Sequence, residues 1–203
     1  MAWQKDFIEV IRREKFSIGS SNKQAVAPEL HKALICLSTE LYQNSMHFMK
    51  ELIQNAEYNT YNKQVRPSLE FLLTNEDVAD MGVSTTLLIL NNERGLQTSD
   101  VEALCSVKNS TKTGKRDKGF IGCKGIGFKS VFMVSKTPII ISNGFRISFE
   151  DDPAEEADVG YIVPKWKETP TDVAILAACG RDKLPNTVII LPLRHDKVAL
   201  VRR

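Results

Sequence analysis

Helical periodicity in this chain is concentrated before residue 60, and the strand-like runs come after residue 68. Residues 3–16 set Phe7, Ile8, Val10 and Ile11 at helical spacing with charges between them. The turn residues from Ile18 to Asn22 end that segment. A second helix begins near Pro28, a residue suited to a first helical turn, and carries the stripe Leu30, Leu34, Leu37, Leu41. Asn44-Ser45 breaks it, and a third helix runs from about Met46 to Asn59. Residues 69–73, 86–90, 139–141, 145–149, 161–163 and 187–191 read as strands. Between them lie a short capped helix over 98–104 and a helical pattern over 128–134. This order is not the regular alternation of a doubly wound parallel sheet. It predicts an α+β fold, a two-layer α/β sandwich with helices on one face of a mixed β-sheet.

A chain of 203 residues makes one domain or one domain with a small appendage. Residues 1–25 read as an N-terminal helix and linker, and residues 26–203 as the domain itself. Lys and Arg number 27 against 25 Asp and Glu, a near-balance that argues against a dedicated nucleic-acid-coating protein. No apolar run is long enough to span a membrane, and the N-terminus carries no apolar signal core. Cys36, Cys105, Cys123 and Cys179 form no CxxC pair, which argues against zinc. Reduced thiols and the absence of a secretory signal together predict an intracellular protein, nuclear or cytoplasmic.

The segment 106–125 is polar and basic, with Lys108, Lys112, Lys115, Arg116, Lys118 and Lys124. A structureless run of this length inside a domain is usually a functional loop or a disordered one. It runs into Gly119, Gly122, Gly125 and Gly127, four glycines within nine residues, with a helix following. Glycine allows close approach of backbone amides to a phosphate, and a helix N-terminus adds unpaired N–H groups. A flexible hinge is the competing reading. The Walker pattern fails because Phe128 separates Gly127 from Lys129, and the Rossmann pattern fails at Ser130. Interleaved aromatics, which would mark a single-strand nucleic-acid platform, are nearly absent from the loop.

The third helix contains Glu51 and Asn55, one turn apart on one face. A carboxylate there can act as a general base toward water, and an amide oxygen is a hard ligand suited to Mg²⁺. An isolated pair of this kind is more simply a solvated or capped one. The pair gains meaning from its company: it is followed by Asn91-Asn-Glu-Arg-Gly95 after a strand, then the glycine loop, then Asn186-Thr187 opening a late strand.

In that order the segments resemble the four boxes of the GHKL ATPase superfamily, which includes gyrase B, histidine kinases, MutL and the ninety-kilodalton heat-shock chaperones. The phrase from His47 to Glu57 is most similar to the sacsin and plant NO VEIN branch. The resemblance implies the Bergerat fold, binding of ATP or ADP, and Mg²⁺. It implies Glu51 as the catalytic base and Asn55 as the magnesium ligand. Asn91 stands where an adenine-reading Asp usually stands, and Gly95 matches the glycine that lets the base lie against the backbone. Gly122, Gly125, Ile126, Gly127, Phe128 and Lys129 match the phosphate-cradling turn. Thr187 matches the threonine that supports the adenine end, and residues 106–121 match the lid.

Three departures stand out: Asn91 for Asp, Glu93 for a glycine, and Tyr58 for an acidic residue. An Asn oxygen still accepts from an amine but without charge assistance, a loss of about 1 kcal/mol. In that superfamily a following domain often supplies a cationic residue to the triphosphate, and no such domain is expected to fit after Leu193, so ATP hydrolysis is expected to be slow or to need a protein partner or second domain. The alternative is a degenerate, non-catalytic nucleotide-binding or protein-interaction module.

Overall fold

The six strands among the described residues pair into one open antiparallel sheet, in the order β1-β2-β6-β3-β4-β5. The computed structural model describes residues 2–20, 27–41, 46–107, 126–152 and 159–202, with side chains at 37–41 and 126 excepted. The strands are β1 (Leu69–Thr74), β2 (Thr86–Asn91), β3 (Ile139–Ser142), β4 (Phe145–Ser148), β5 (Lys165–Trp166) and β6 (Thr187–Pro192). All six residues of β2 are buried, as expected for an interior strand covered on both faces. Asn143 and Gly144 join β3 to β4, both at positive φ (49° and 80°), the two-residue turn that matches strand twist.

One face of the sheet meets the larger helical layer. It is formed by α1 (Ala2–Val10) with a π-helical extension over Ile11–Lys15, α3 (His47–Glu57), α4 (Thr98–Leu104), and α5 (Ile126–Lys129) continued by a 3₁₀ turn over Ser130–Met133. Ile8, Phe48, Leu52, Val101, Phe128 and Val131 pack there against Leu87, Ile89, Ile147 and Leu191. Phe48, Leu52 and Ala56 recur every fourth residue, so α3 buries one stripe. The neighbouring stripe, Glu51, Asn55 and then Asn59 just past the helix end, is half-buried beside it. Helix α2 (Ala27–Leu41) seals a separate cluster, with Ala27 and Leu34 against Val159, Ile162 and Val163. A short α7 (Val198–Val201) ends the described chain.

The α+β class and the helix-on-sheet sandwich are as expected, with differences in detail. The described pairings are all antiparallel where a mixed sheet was expected, because β6 inserts between β2 and β3 and runs opposite to both. The opposite sheet face is also covered: Ile175 of α6 (Asp172–Cys179), with Val78 and Ala79, packs on Leu88, Leu90, Val188 and Ile190. Residues 161–163, expected as a strand, form a bend in which Ile162 and Val163 are buried and Tyr161 is half-buried. Tyr161 sits at φ +69°, outside the β region, and pairing resumes only at Lys165. The expected helix break at Asn44-Ser45 lies outside the described residues. Among the described residues no helix is long and apolar enough to cross a membrane.

Candidate functional site

A cavity of about 600 Å³, counting space open to solvent, lies between α3 and one end of the sheet. Its walls are mostly apolar, with Leu52, Leu69, Ile89, Leu96, Phe128 and Ile140 among them. Its polar groups are few: Asn55 and Asn59 from the α3 side, and Asn91, Glu93 and Thr187 from the sheet end. Few, convergent polar groups in an apolar cleft are the usual composition of a small-molecule site.

Glu51 and Gly127, distant in sequence, meet beside this cavity. A Cβ added to Gly127 would lie 2.1 Å from Glu51 Oε2 and 3.1 Å from its Cδ. The carboxylate therefore rests on bare backbone at the start of α5, in a place only glycine leaves open. Its other oxygen lies 3.0 Å from His47 Nε2, one turn earlier on α3. The Glu51 side chain is 20% exposed, open enough for water to reach it. Asn55 follows one turn on, on the same side of the helix and in the cavity wall.

The sheet end is built by register. Asn91 on β2 pairs with Thr187 on β6, and Thr187 with Ser142 on β3, so one row across three strands is polar. Thr187 donates to Glu93 Oε1 at 3.0 Å. That uses its single hydroxyl proton, so Ser142 is the donor in the 2.6 Å contact between the two hydroxyls. Ser142 in turn accepts the Leu96 N–H at 2.9 Å. Asn91 Oδ1 accepts the Glu93 N–H at 3.0 Å, and Asn186 Nδ2 donates to the Glu93 carbonyl at 2.7 Å. Tyr61 donates to the Ala56 carbonyl at 2.8 Å and reaches the Asn91 side chain. Burial raises its phenol pKa, the Asn91 hydrogen bond opposes that shift, and the nearby Glu93 charge adds to it. Gly95 adopts φ +91°, and a Cβ there would come 2.9 Å from Asn143 Cβ, so its close approach is to the β3–β4 turn.

Lys129 lies apart from the cavity lining. Its ammonium is buried, donates to the Leu104 carbonyl at 2.6 Å and stands 4.6 Å from the centre of the Phe149 ring. Lys15 similarly donates to Ser106 Oγ at 2.6 Å. These two lysines hold the chain where it enters the basic loop. Desolvation lowers the Lys129 pKa to about 7, Cys105 opposes that shift and Lys15 adds to it; burial pushes the Cys105 thiol up to about 12.

The signs give a stability prediction. Between about 7 and 10.5 the unfolded chain holds a proton on Lys129 that the folded chain has released, so stability climbs with pH. Above 9.0 the folded chain keeps the Cys105 proton that the unfolded chain loses, and the climb is offset. The unfolding free energy from urea titrations should therefore rise from pH 7 to 9, by at most about 1.4 kcal/mol per pH unit, and then level. Lys129→Met should flatten the rise; a rise that persists in that variant assigns it to another group.

Of the expected site residues, Asn55, Asn91, Phe128 and Thr187 line the cavity, and Glu51 and Gly127 meet beside it. Gly122, Gly125 and the side chain of Ile126 lie outside the described residues, as does the expected lid beyond Val107. Asn59 was not anticipated. Its Oδ1 is buried in the cavity wall and has no hydrogen-bond partner among the described residues. The signal was present, since Asn59 continues the four-residue spacing of Glu51 and Asn55. Tyr61 carried no comparable local signal.

No family model matches the chain. It is 40% identical over 201 residues to Protein NO VEIN of Arabidopsis thaliana, an alignment covering 92% of this chain and 7% of that protein. It is 27% identical over 199 residues to the chaperone protein HtpG of Aliarcobacter butzleri (strain RM4018), covering 86% of this chain and 28% of that protein. The chain thus spans less than a third of either relative.

Proposed function

We propose that this chain is a nucleotide-binding domain of the GHKL kind that holds Mg-ATP in the cavity between α3 and the sheet end. One observation carries the reading: the Glu51 carboxylate seats on the Gly127 backbone, with Asn55 one turn on in the wall of the cavity. A base, an amide oxygen and a glycine-bared helix start then converge where a triphosphate would lie. The similarity to a chaperone HtpG, and the order of the four sequence segments, support the same reading.

The residues present fit such a ligand. The bare backbone at Gly127 leaves the place that the Glu51 carboxylate fills, which would seat the base beside an attacking water. Asn59 Oδ1 is buried without a hydrogen-bond partner among the described residues, and a donor on a bound ligand would satisfy it, a gain of about 1–3 kcal/mol. Asn55 would hold the magnesium ion, whose charge offsets that of the phosphates. Glu51 would orient and deprotonate the attacking water, with His47 holding its other oxygen. We infer further that turnover is slow in this chain alone, because charge stabilisation of a transferring phosphoryl group calls for cations that the described cavity wall lacks.

Isothermal titration with Mg-ATP tests the proposal. Saturable binding with Kd below about 1 mM is expected. A chain that shows no saturation at millimolar nucleotide overturns it. The same titration without magnesium should weaken binding at least tenfold if Asn55 and the metal act together.

A further inference from the structure

We propose that the Asn59 side chain, through Oδ1, reads the exocyclic amine of an adenine-type base and so sets which nucleotides the cavity accepts. The inference rests on the nucleotide reading above and names the base that the site selects.

Asn59 is held at the sheet end of the cavity by the backbone on either side of it. Its N–H donates to the Ala56 carbonyl at 3.2 Å, and the next carbonyl, that of Thr60, accepts the Arg94 N–H at 2.9 Å. Tyr61 then reaches the Asn91 side chain. Leu69 of β1 pairs with Asn91 of β2, and both line the cavity with Asn59. Glu51, seated on Gly127, lies toward the start of the same helix. Asn59 follows two turns later, about 12 Å along the axis at the usual helical rise. That is the order of the distance between the terminal phosphate of a nucleotide and its base. With the triphosphate beside Glu51, the base falls beside Asn59.

The chemistry of the wall selects the group that is read. Asn59 Oδ1 is buried and accepts no hydrogen bond among the described residues. Asn91 Oδ1, by contrast, accepts the Glu93 N–H, and the Thr187 hydroxyl gives its proton to Glu93. A turn about the terminal side-chain bond of Asn59 breaks no bond of its oxygen among the described residues and brings it to a ligand. A carbonyl oxygen of this kind calls for a donor. ATP carries donors in two places, the ribose hydroxyls and the 6-amino group of adenine. The apolar side chains of Leu69, Ile89 and Leu96 suit a flat base better than a ribose, whose hydroxyls hold water. A base with a carbonyl in place of the amine would set two acceptors face to face in an apolar cleft and leave both unpaired, which selects against it.

Isothermal titration in magnesium compares ATP with purine riboside triphosphate, which lacks only the 6-amino group, and with 2′-deoxy-ATP, which lacks only a ribose hydroxyl. The wild-type chain should prefer ATP to purine riboside triphosphate at least about fivefold, the worth of one hydrogen bond. Asn59→Leu, similar in size but without an acceptor, should lower that preference about fivefold and leave the ratio of ATP to 2′-deoxy-ATP within about twofold of wild type. Because each variant is judged by ratios of ligands, a general loss of affinity cancels. Asn59→Ala supplies the same ratios where Asn59→Leu does not fold. A preference for ATP over purine riboside triphosphate that falls by less than about twofold overturns the assignment. So does a loss confined to the 2′-deoxy ratio, which would place Asn59 at the ribose. Equal binding of ATP and purine riboside triphosphate by wild type overturns it while leaving nucleotide binding intact. Binding of none of the three removes the nucleotide reading itself.

Discussion

Gly127→Ala is expected to cut ATP hydrolysis about a hundredfold while leaving the thermal midpoint unchanged or slightly raised. The added methyl would fall 2.1 Å from Glu51 Oε2, so the carboxylate must leave its seat. What it meets is the far end of a flexible side chain, which can swing away at small cost. Gly127 lies in α5, where alanine is the better helix former by about 1 kcal/mol. Folding and function should therefore separate in this variant. Displacement of a base by an ångström or more costs orders of magnitude in rate, because in-line attack tolerates little misplacement. Phosphate release, read beside a thermal melt and an ATP titration, checks it. Turnover equal to wild type would show that the contact between Glu51 and Gly127 is packing alone.

The sequence shows Glu51 and Asn55 as a pair because both belong to one helix, where spacing dictates which residues share a face. The Phe48, Leu52, Ala56 stripe orients that helix, and Glu51 and Asn55 then fall at the border of the core. Asn91 and Thr187 were each visible at a strand end, but their adjacency was not. It depends on β6 entering beside β2 in antiparallel register, a choice made by long-range packing. Glu93 looked like an intruder in a glycine-bearing turn. Its meaning lies in Asn91, Asn186 and Thr187, which reach it from three points of the chain. Lys129 misled in the opposite way. Its place in the phosphate-cradling turn suggests phosphate, yet the core behind α5 offers it the Leu104 carbonyl and the Phe149 ring. Helix α6 passed unnoticed, although Thr171 caps its start and Gly180, at φ +61°, ends it. Those caps were legible. What hid the helix is that Ile175 packs on a sheet face expected to be bare.

Glu51→Gln should lower ATP hydrolysis by two to four orders of magnitude and change ATP affinity less than about threefold. The substitution keeps size and the oxygen that can face His47, so the helix and the Gly127 contact are retained. It removes only the capacity to take a proton from water. A group whose sole task is proton abstraction contributes to the transition state and not to the ground state, so kcat falls and binding does not. The comparison belongs in a single-turnover format, with enzyme in excess over nucleotide, because slow steady-state release would otherwise mask the chemical step. Gly127→Ala and Glu51→Gln should then share a kinetic signature although one moves the carboxylate and the other neutralises it. Combined in one chain they should cost no more than the larger of the two, since both disable the same base. If Glu51→Gln turns over ATP as wild type does, the water is activated elsewhere or not at all, and the cavity is a binding site without hydrolytic chemistry. If affinity collapses with the rate, Glu51 is serving the ligand or the fold, and the role of general base passes from it.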